Sequence, residues 1–407
     1  MSVMTKISRN CEVVISGGGP VGLILAIGLA RQGRSVLLAE PVAQQSNQPN
    51  SFDGRVLALT YGSQQVLQAL GIWDALVDYC TPILHVHVSQ KGYMGLTTLH
   101  AEETGVPALG YSVQASDLGN VLWRQAQQEP LIEILSPAKV IDFTDAQDGV
   151  QVIIEDLSVS DDSVEASLIK CTAQLLIGAD GTHSKVRQLM GLPLHEKSYH
   201  AYGILAKIET EAHPEGWSFE RFTEEGPVAL LPMDGHFHKA VLVCPEEQKD
   251  AIMALNDEAY MALFADKMGE RLGGFTTISE RVAYPLKETY VDTMTQGREL
   301  LMGNASHTQH PVAAQGLNLG IRDIEDFLRL AEQQNDLGNT EFLQGYAGKR
   351  EPDHRKVMGM TDGLIQIFQH GSPLVGHLRG IGLMALQRMP KLKQRFSRFA
   401  MGNQRHG

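Results

Sequence analysis

Cysteine is scarce. Only Cys11, Cys80, Cys171 and Cys244 occur in 407 residues, and no two form a Cys-x-x-Cys pair. That spacing excludes a disulfide scaffold, a zinc knuckle and a redox dithiol motif, and predicts reduced thiols in the cytoplasm. Basic residues are also in deficit, 34 against 47 acidic ones, for a formal net charge of -13. A surface acidic throughout repels phosphate, which argues against nucleic-acid binding. Long apolar runs are missing too. Residues 13–30 carry no charge and follow Lys6 and Arg9, but Ser16-Gly17-Gly18-Gly19-Pro20 interrupts them. Such an interruption breaks a signal-peptide core, and the run is short for the ~20 residues of a membrane span. There is no internal repeat. Hydrophobic residues at 43% and charged residues at 20% read as an ordinary soluble globular protein. The length fits two or three packed units with a core that needs no staples.

What is present begins with a strand, a glycine turn, a helix and a second strand. Residues 12–16 are an apolar strand. Residues 20–32 carry Val21, Leu25 and Leu29 at helical spacing and stop before Gly33, and 35–40 form the next strand. Further along, 66–76 reads as a helix interrupted at Gly71, with Ser116 or Asp117 capping another that carries Leu118, Val121 and Leu122. Strands are predicted at 85–89, 96–99, 132–135, 150–155 and 173–177, with a polar hairpin or loop at 156–165. Four more, at 203–209, 218–222, 228–231 and 239–244, predict an antiparallel sheet in a second domain. Helical spacing returns at 250–268, 317–331 and, in the main, 341–398.

The turn Gly17-Gly18-Gly19-Pro20-Val21-Gly22 fits Gly-x-Gly-x-x-Gly between a strand and a helix. Gly17 allows the tight bend, Gly19 lets a pyrophosphate approach the backbone, and Gly22 lets the helix pack on the sheet. The helix N-terminus offers N–H groups to phosphate. Glu40 ends the following strand, where a carboxylate can accept from a ribose. These features predict a dinucleotide site without choosing between FAD and NAD.

Two later blocks choose. Gly178-Ala179-Asp180-Gly181 follows one strand. Gly303-Asn304-Ala305-Ser306-His307 follows another and runs on through His310-Pro311-Val312-Ala313-Ala314-Gln315-Gly316-Leu317-Asn318. In this order, together with Phe52-Asp53-Gly54-Arg55 and Phe219-Glu220-Arg221-Phe222-Thr223, they resemble the flavin hydroxylases of the para-hydroxybenzoate hydroxylase type. More narrowly they are similar to the ubiquinone-biosynthesis hydroxylases, above all the subgroup acting on 2-polyprenyl-6-methoxyphenol. The resemblance implies an α/β fold, with a Rossmann-like FAD-binding domain, an antiparallel-sheet substrate domain and a helical C-terminus. It implies domain boundaries of 1–78, 101–186 and 287–340 for FAD, 79–100 and 187–286 for substrate, and 341–407 for the helical region.

The resemblance further implies that FAD is held by Gly17, Gly19, Gly22 and Glu40, with Arg55 and Gln114 along it. Asp180 and Asn304 would support the flavin, and Pro311, Gly316, Leu317 and Asn318 would lie against the ring. The implied activity is hydroxylation of a polyprenylated phenol with O2 and NAD(P)H, NADH and NADPH both remaining open. Two positions depart from the family pattern: Asn304 stands where an acid is usual, and Ala314 where a glycine is usual. There is no second dinucleotide turn, in keeping with a coreductant bound in passing.

No acid–base group stands out. His307 and His310 are weak candidates for relaying a proton, the alternative being loop residues bonded to backbone. Asp53 and Arg55 read equally as a surface pair, and Glu220 and Arg221 as alternating strand faces. His85 and His87 lack the partners a metal site needs. An NAD-dependent dehydrogenase explains only the first turn, and a non-catalytic scaffold of a quinone-biosynthesis complex is the other alternative. From residue 371 onward there are Arg379, Arg388, Lys391, Lys393, Arg395, Arg398 and Arg405 and no acid. This segment is either a closing helix pair or a surface for anionic lipid on the inner face of the membrane or for a partner.

Overall fold

The computed structural model describes residues 8–43, 55–158, 168–269, 271–308, 315–369 and 373–402. Its centre is a six-stranded sheet. In spatial order the strands are Thr295–Gln296, Glu299–Leu301, Leu175–Gly178, Val13–Ser16, Val36–Ala39 and Ile132–Leu135. All neighbours are parallel except the antiparallel first pair. Buried on both faces, these strands read as unbroken apolar runs. Val13, Val14, Ile15, Leu37, Leu38, Leu175, Leu176 and Ile177 form the main core with the helix Pro20–Arg31.

A four-stranded sheet stands beside it, ordered Ser8–Asn10, Leu168–Ala173, Gly149–Asp156 and Ala138–Ala146. Here a sequence inference needs correcting. Cys11 and Cys171, far apart along the chain, come together with their sulfurs 3.4 Å apart, both as free thiols. A three-stranded sheet joins Val56–Thr60, Gly110–Gln114 and Cys80–Ile83.

The second large element is a mostly antiparallel sheet. Its path runs His307–Thr308, Val282–Tyr290, His195–Thr210, Phe237–Pro245, Pro227–Pro232, Trp217–Phe222, His85–Gln90 and Leu96–His100, with Phe275–Ile278 paired to the long strand. One face buries Ile204, Ile208, Phe219, Val228, Leu230, Ala240 and Leu242 under Tyr260 and Phe264 of the helix Asp257–Met268. The other face turns toward the nucleotide-binding half, where the Lys239 ammonium donates to the Val56 carbonyl at 2.6 Å.

Several boundaries move. The helix expected at 66–76 starts at Tyr61, capped by Thr60, and Trp73–Leu76 follows as a separate turn. The helix expected to be capped by Ser116 or Asp117 starts at Ala115, and its N-cap residue, Gln114, makes no side-chain cap. The expected loop at 156–165 lies largely outside the described residues. The C-terminal region is helical as expected: Thr340–Gln369, Pro373–Arg388 and Pro390–Ala400.

Candidate active site

The first glycine turn is shaped by contacts that leave no room for side chains. Gly17 sits at φ +109, and a Cβ there would lie 2.5 Å from the Ala179 carbonyl oxygen. A Cβ on Gly22 would lie 2.0 Å from the Gly17 carbonyl oxygen. Gly19 is the N-cap residue of the Pro20–Arg31 helix, with no side-chain cap and Pro20 in the first turn. The first-turn N–H groups therefore face outward with no protein side chain on them, a ready anion site. Next to the turn, Val21 fills the space left by Gly303 and Gly320. The three glycine-containing motifs, far apart in sequence, thus meet at one end of the parallel sheet.

Glu40 is buried at 6% exposure. Its carboxylate accepts from the Gly18 N–H at 2.6 Å and the Val42 N–H at 2.9 Å. Burial raises its pKa, those two backbone bonds oppose the rise, and nearby Asp180 adds to it. Each oxygen has one protein donor and keeps a lone pair for another.

Asp180 divides its two oxygens. One accepts from the Lys185 N–H at 2.7 Å, the Val186 N–H at 3.3 Å and the Ser16 hydroxyl at 3.4 Å. The other is buried with no partner among the described residues. A buried open carboxylate oxygen is costly unless something donates to it. A hydroxyl-bearing ligand beside the glycine turn supplies that donor, so the donor set here fits FAD.

Arg55 and Gln114 flank one junction, since Gln114 pairs with Val56 and the Ala115 N–H donates to the Arg55 carbonyl at 2.7 Å. Both side chains are exposed, and the Arg55 guanidinium lies 5.8 Å from the ring centre of Tyr284 on the large sheet. Asn304 is exposed in the short turn Gly303–Ala305. Gly316 and Leu317 lie in the first turn of the helix Gln315–Ala331. Pro311, Ala314 and His310 lie outside the described residues, as does Asp53.

Residues 10–361 match the family described as FAD binding domain. The ubiquinone hydroxylase UbiL of Rhodospirillum rubrum is 30% identical over 403 residues, covering 98% of this chain and 91% of the relative. The 3-demethoxyubiquinol 3-hydroxylase of Escherichia coli is 29% identical over 404 residues, covering 97% and 99%. The chain belongs to the FAD-dependent hydroxylases of ubiquinone biosynthesis. The fold agrees. The crystal structure of p-nitrophenol 4-monooxygenase PnpA from Pseudomonas putida superposes with a TM-score of 0.79 at 16% identity, covering 98% of this chain and all of that one. FAD is the hydroxylase's cofactor.

Two expectations change on the hydroxylase's geometry. His307 is 2% exposed, its Nδ1 is 2.8 Å from the Ser306 hydroxyl, and its ring lies 4.1 Å from that of His354. Burial pushes its pKa down to about 3, with His354 adding to the fall. A ring held neutral inside a buried cluster does not support a proton relay at the cofactor. The alternative, a loop histidine bonded to backbone, is amended as well, because its partner is a side chain. Asn318 has its side chain engaged elsewhere. Its Oδ1 accepts from the Thr60 N–H at 2.8 Å and the Ser63 hydroxyl at 2.7 Å, and its amide donates to the Ala58 carbonyl at 2.8 Å. It therefore locks the Val56–Thr60 strand to the Gln315–Ala331 helix, and only its backbone is left to face a ligand.

Behind that helix lies a buried charge cluster. Arg350 donates to Asp323 at 2.7 Å and to Asp326 at 3.0 Å, and His354 lies 2.7 Å from Asp323. The ligand atoms of His307, Asp323 and His354 lie within 4.8 Å of one another. The guanidinium of Arg350 already occupies Asp323, and Arg322 adds a second nearby cation, an environment hostile to a metal ion.

Sequence reading missed three supports of the site. Ser16 reaches Asp180, Trp123 packs on Gly18, and Arg187, 4% exposed, donates to the Ala305 carbonyl at 3.1 Å. A lone serine, tryptophan or arginine has no spacing to signal it. Only the spatial meeting of the motifs reveals their use.

Proposed function

We propose that the protein hydroxylates the ring of a polyprenylated phenol in ubiquinone biosynthesis, using NAD(P)H and O2. FAD, when bound, supplies electron transfer from the nicotinamide and the activation of oxygen. The observation that carries this reading is the meeting of the three motifs at the end of the parallel sheet, across from the large antiparallel sheet. On this reading the N–H groups after Gly17 and Gly19 take the pyrophosphate, and Gly22 holds the helix close. Glu40 takes the ribose, and Asp180 and Asn304 take flavin-side hydroxyls. Arg55 and Gln114 lie along the cofactor. The segment from Pro311 through Gly316 to Leu317 and Asn318 offers backbone to the ring. The chain's domains divide as 1–78, 101–186 and 287–340 for FAD, 79–100 and 187–286 for substrate, and 341–407 for the helical end. A 2-polyprenyl-6-methoxyphenol, hydroxylated para to its hydroxyl, is the substrate the sequence resemblance favours.

The deciding experiment supplies purified protein with NADH or NADPH, a short-chain 2-methoxy-6-prenylphenol and isotopically labelled O2. The expected product carries one labelled oxygen on the ring, and the extracted cofactor runs as FAD. Oxidation of the nicotinamide with no labelled product would overturn the reading.

Contact with anionic lipid is proposed for the last two helices. Leu378, Ile381, Met389 and Leu392 are exposed there, as are Arg388, Lys391, Arg395 and Arg398. Among the described residues, no helix is long and apolar enough to cross a membrane. Exposed apolar side chains among basic ones suit shallow insertion at a charged surface.

A further inference from the structure

Glu220 lies on the strand Trp217–Phe222 of the large sheet. Its neighbours Phe219 and Arg221 point to the face covered by the helix Asp257–Met268. Phe219 joins that core, and the Arg221 guanidinium donates to the Met268 carbonyl at 2.9 Å. Side chains alternate along a strand, so Glu220 points the other way, toward the nucleotide-binding half. The register across that face reads Leu205, Val241, Ala229, Glu220, Val88 and Thr97. One carboxyl group stands in an otherwise apolar or hydroxyl row.

The surroundings define a cleft. On one side Lys239, from the same face, donates to the Val56 carbonyl, next to Arg55. On the other, Gln90 of that face donates to the Gly376 carbonyl at 2.7 Å, and Thr97 donates to Gln387 at 3.0 Å, so the helix Pro373–Arg388 walls it off. The basic groups of this face, Lys239 and Arg55, are engaged with Val56 and Tyr284. Among the described residues nothing bonds to or pairs with Glu220, which is partly buried. Burial alone raises its pKa to about 7, and no charged neighbour contributes. A carboxyl group kept apolar and unpartnered on a strand has no structural task that a leucine or valine would not do better.

We propose that Glu220 is the base that takes the phenolic proton of the substrate. The inference rests on the phenol-hydroxylase reading above. The phenol O–H bond breaks and a carboxyl O–H bond forms. The electron pair stays on the phenolic oxygen and spreads to the ortho and para carbons, which become the stronger nucleophiles for the oxygen donor that the activity already supplies. The proton returns to the oxygen as the product leaves, so the residue ends as it began. A carboxylate whose pKa sits near the working pH is suited to this exchange, because neither protonation state is strongly disfavoured.

The test uses the FAD-loaded protein, 2-methoxy-6-prenylphenol and its O-methyl ether. Binding is followed by the change in flavin absorbance. The wild-type protein is expected to bind the phenol roughly five- to tenfold more tightly above pH 7 than below it, since a charged acceptor holds a hydroxyl better than a neutral one. The ether, with no proton to give, is expected to show no such dependence, and Glu220→Gln is expected to abolish it for the phenol. In turnover, Glu220→Gln is expected to lose about 10²–10⁴-fold in hydroxylation and the acidic limb of the pH profile. Glu220→Asp should retain that limb, and ring-fluorinated, more acidic phenols should narrow the gap between Glu220→Gln and wild type. An unchanged limb in Glu220→Gln, or wild-type phenol binding that ignores pH, overturns the assignment. Wild-type protein that binds phenol with the expected pH dependence but forms no hydroxylated product would overturn the hydroxylase reading instead.

Discussion

Glu299 is 1% exposed, and burial together with Asp145 beside it pushes its pKa up to about 8. The sign of its effect follows from which state holds the proton. Between the ordinary carboxylate range and about 8 the folded protein keeps a proton that the unfolded chain has released, so stability falls as pH rises through that window. Glu299→Gln retains a donor for Asp145 and has no proton to lose. It is expected to unfold later than wild type at pH 9, by on the order of 3 kcal/mol, and to differ little at pH 5. Urea unfolding at the two pH values checks this, and parallel curves for the two proteins would refute it. Gly22 tests the cofactor site directly. With 2.0 Å between a new Cβ and the Gly17 carbonyl oxygen, Gly22→Ala must open the turn. FAD affinity is expected to fall at least about tenfold in a fluorescence titration, roughly 1.4 kcal/mol. Gly17, Gly22 and Glu40 were legible in the sequence because the turn chemistry is local. Ser16, Trp123 and Arg187 were not, because each acts on a partner from a different stretch of chain.

The helix Gln315–Ala331 carries the same contrast at the level of the element. Its spacing of apolar residues is visible in sequence, whereas the partners of its acidic residues are not. Asp323 and Asp326, both 1% exposed, wait for Arg350 on the helix Thr340–Gln369. Arg350 also pairs with Asp353 at 2.8 Å, so one guanidinium joins three carboxylates. Arg350→Met keeps the volume and strands those charges. It is expected to cost about 3–5 kcal/mol in chemical denaturation, most of it from the unpaired acids. A loss below about 1 kcal/mol would mean that the aspartates are held by other partners. Strand lengths were misread for a related reason. The strand expected at 203–209 is His195–Thr210, extended because it pairs on both sides, with Phe237–Pro245 and with Val282–Tyr290. Its first half is polar, with no alternation to mark it, and only the partner strands keep it extended.

Across the whole molecule, an acidic chain ends in a basic, apolar-studded pair of helices. One of their cations is not available to a lipid surface: Lys393 is 6% exposed and bridges Glu103 at 2.7 Å. A fair test of lipid contact therefore changes Arg388, Lys391, Arg395 and Arg398 to Gln and leaves Lys393 in place. Wild-type protein is expected to co-sediment with anionic vesicles at low salt, to release as salt rises and to ignore neutral vesicles, while the variant keeps its flavin and stays in solution. Equal sedimentation of the two proteins would return these helices to packing alone. The order of strands in the parallel sheet has a further consequence, one of time. Val13–Ser16 is made among the first residues, but its neighbours are Val36–Ala39 on one side and Leu175–Gly178 on the other, with Glu299–Leu301 beyond. At ~5–20 residues per second, the ribosome supplies that outer strand on the order of tens of seconds after the first. Through that interval a nascent chain holds an unpaired apolar edge and half a glycine cradle, so flavin capture belongs to the end of synthesis, and a chain halted before Glu299 would be a target for chaperones.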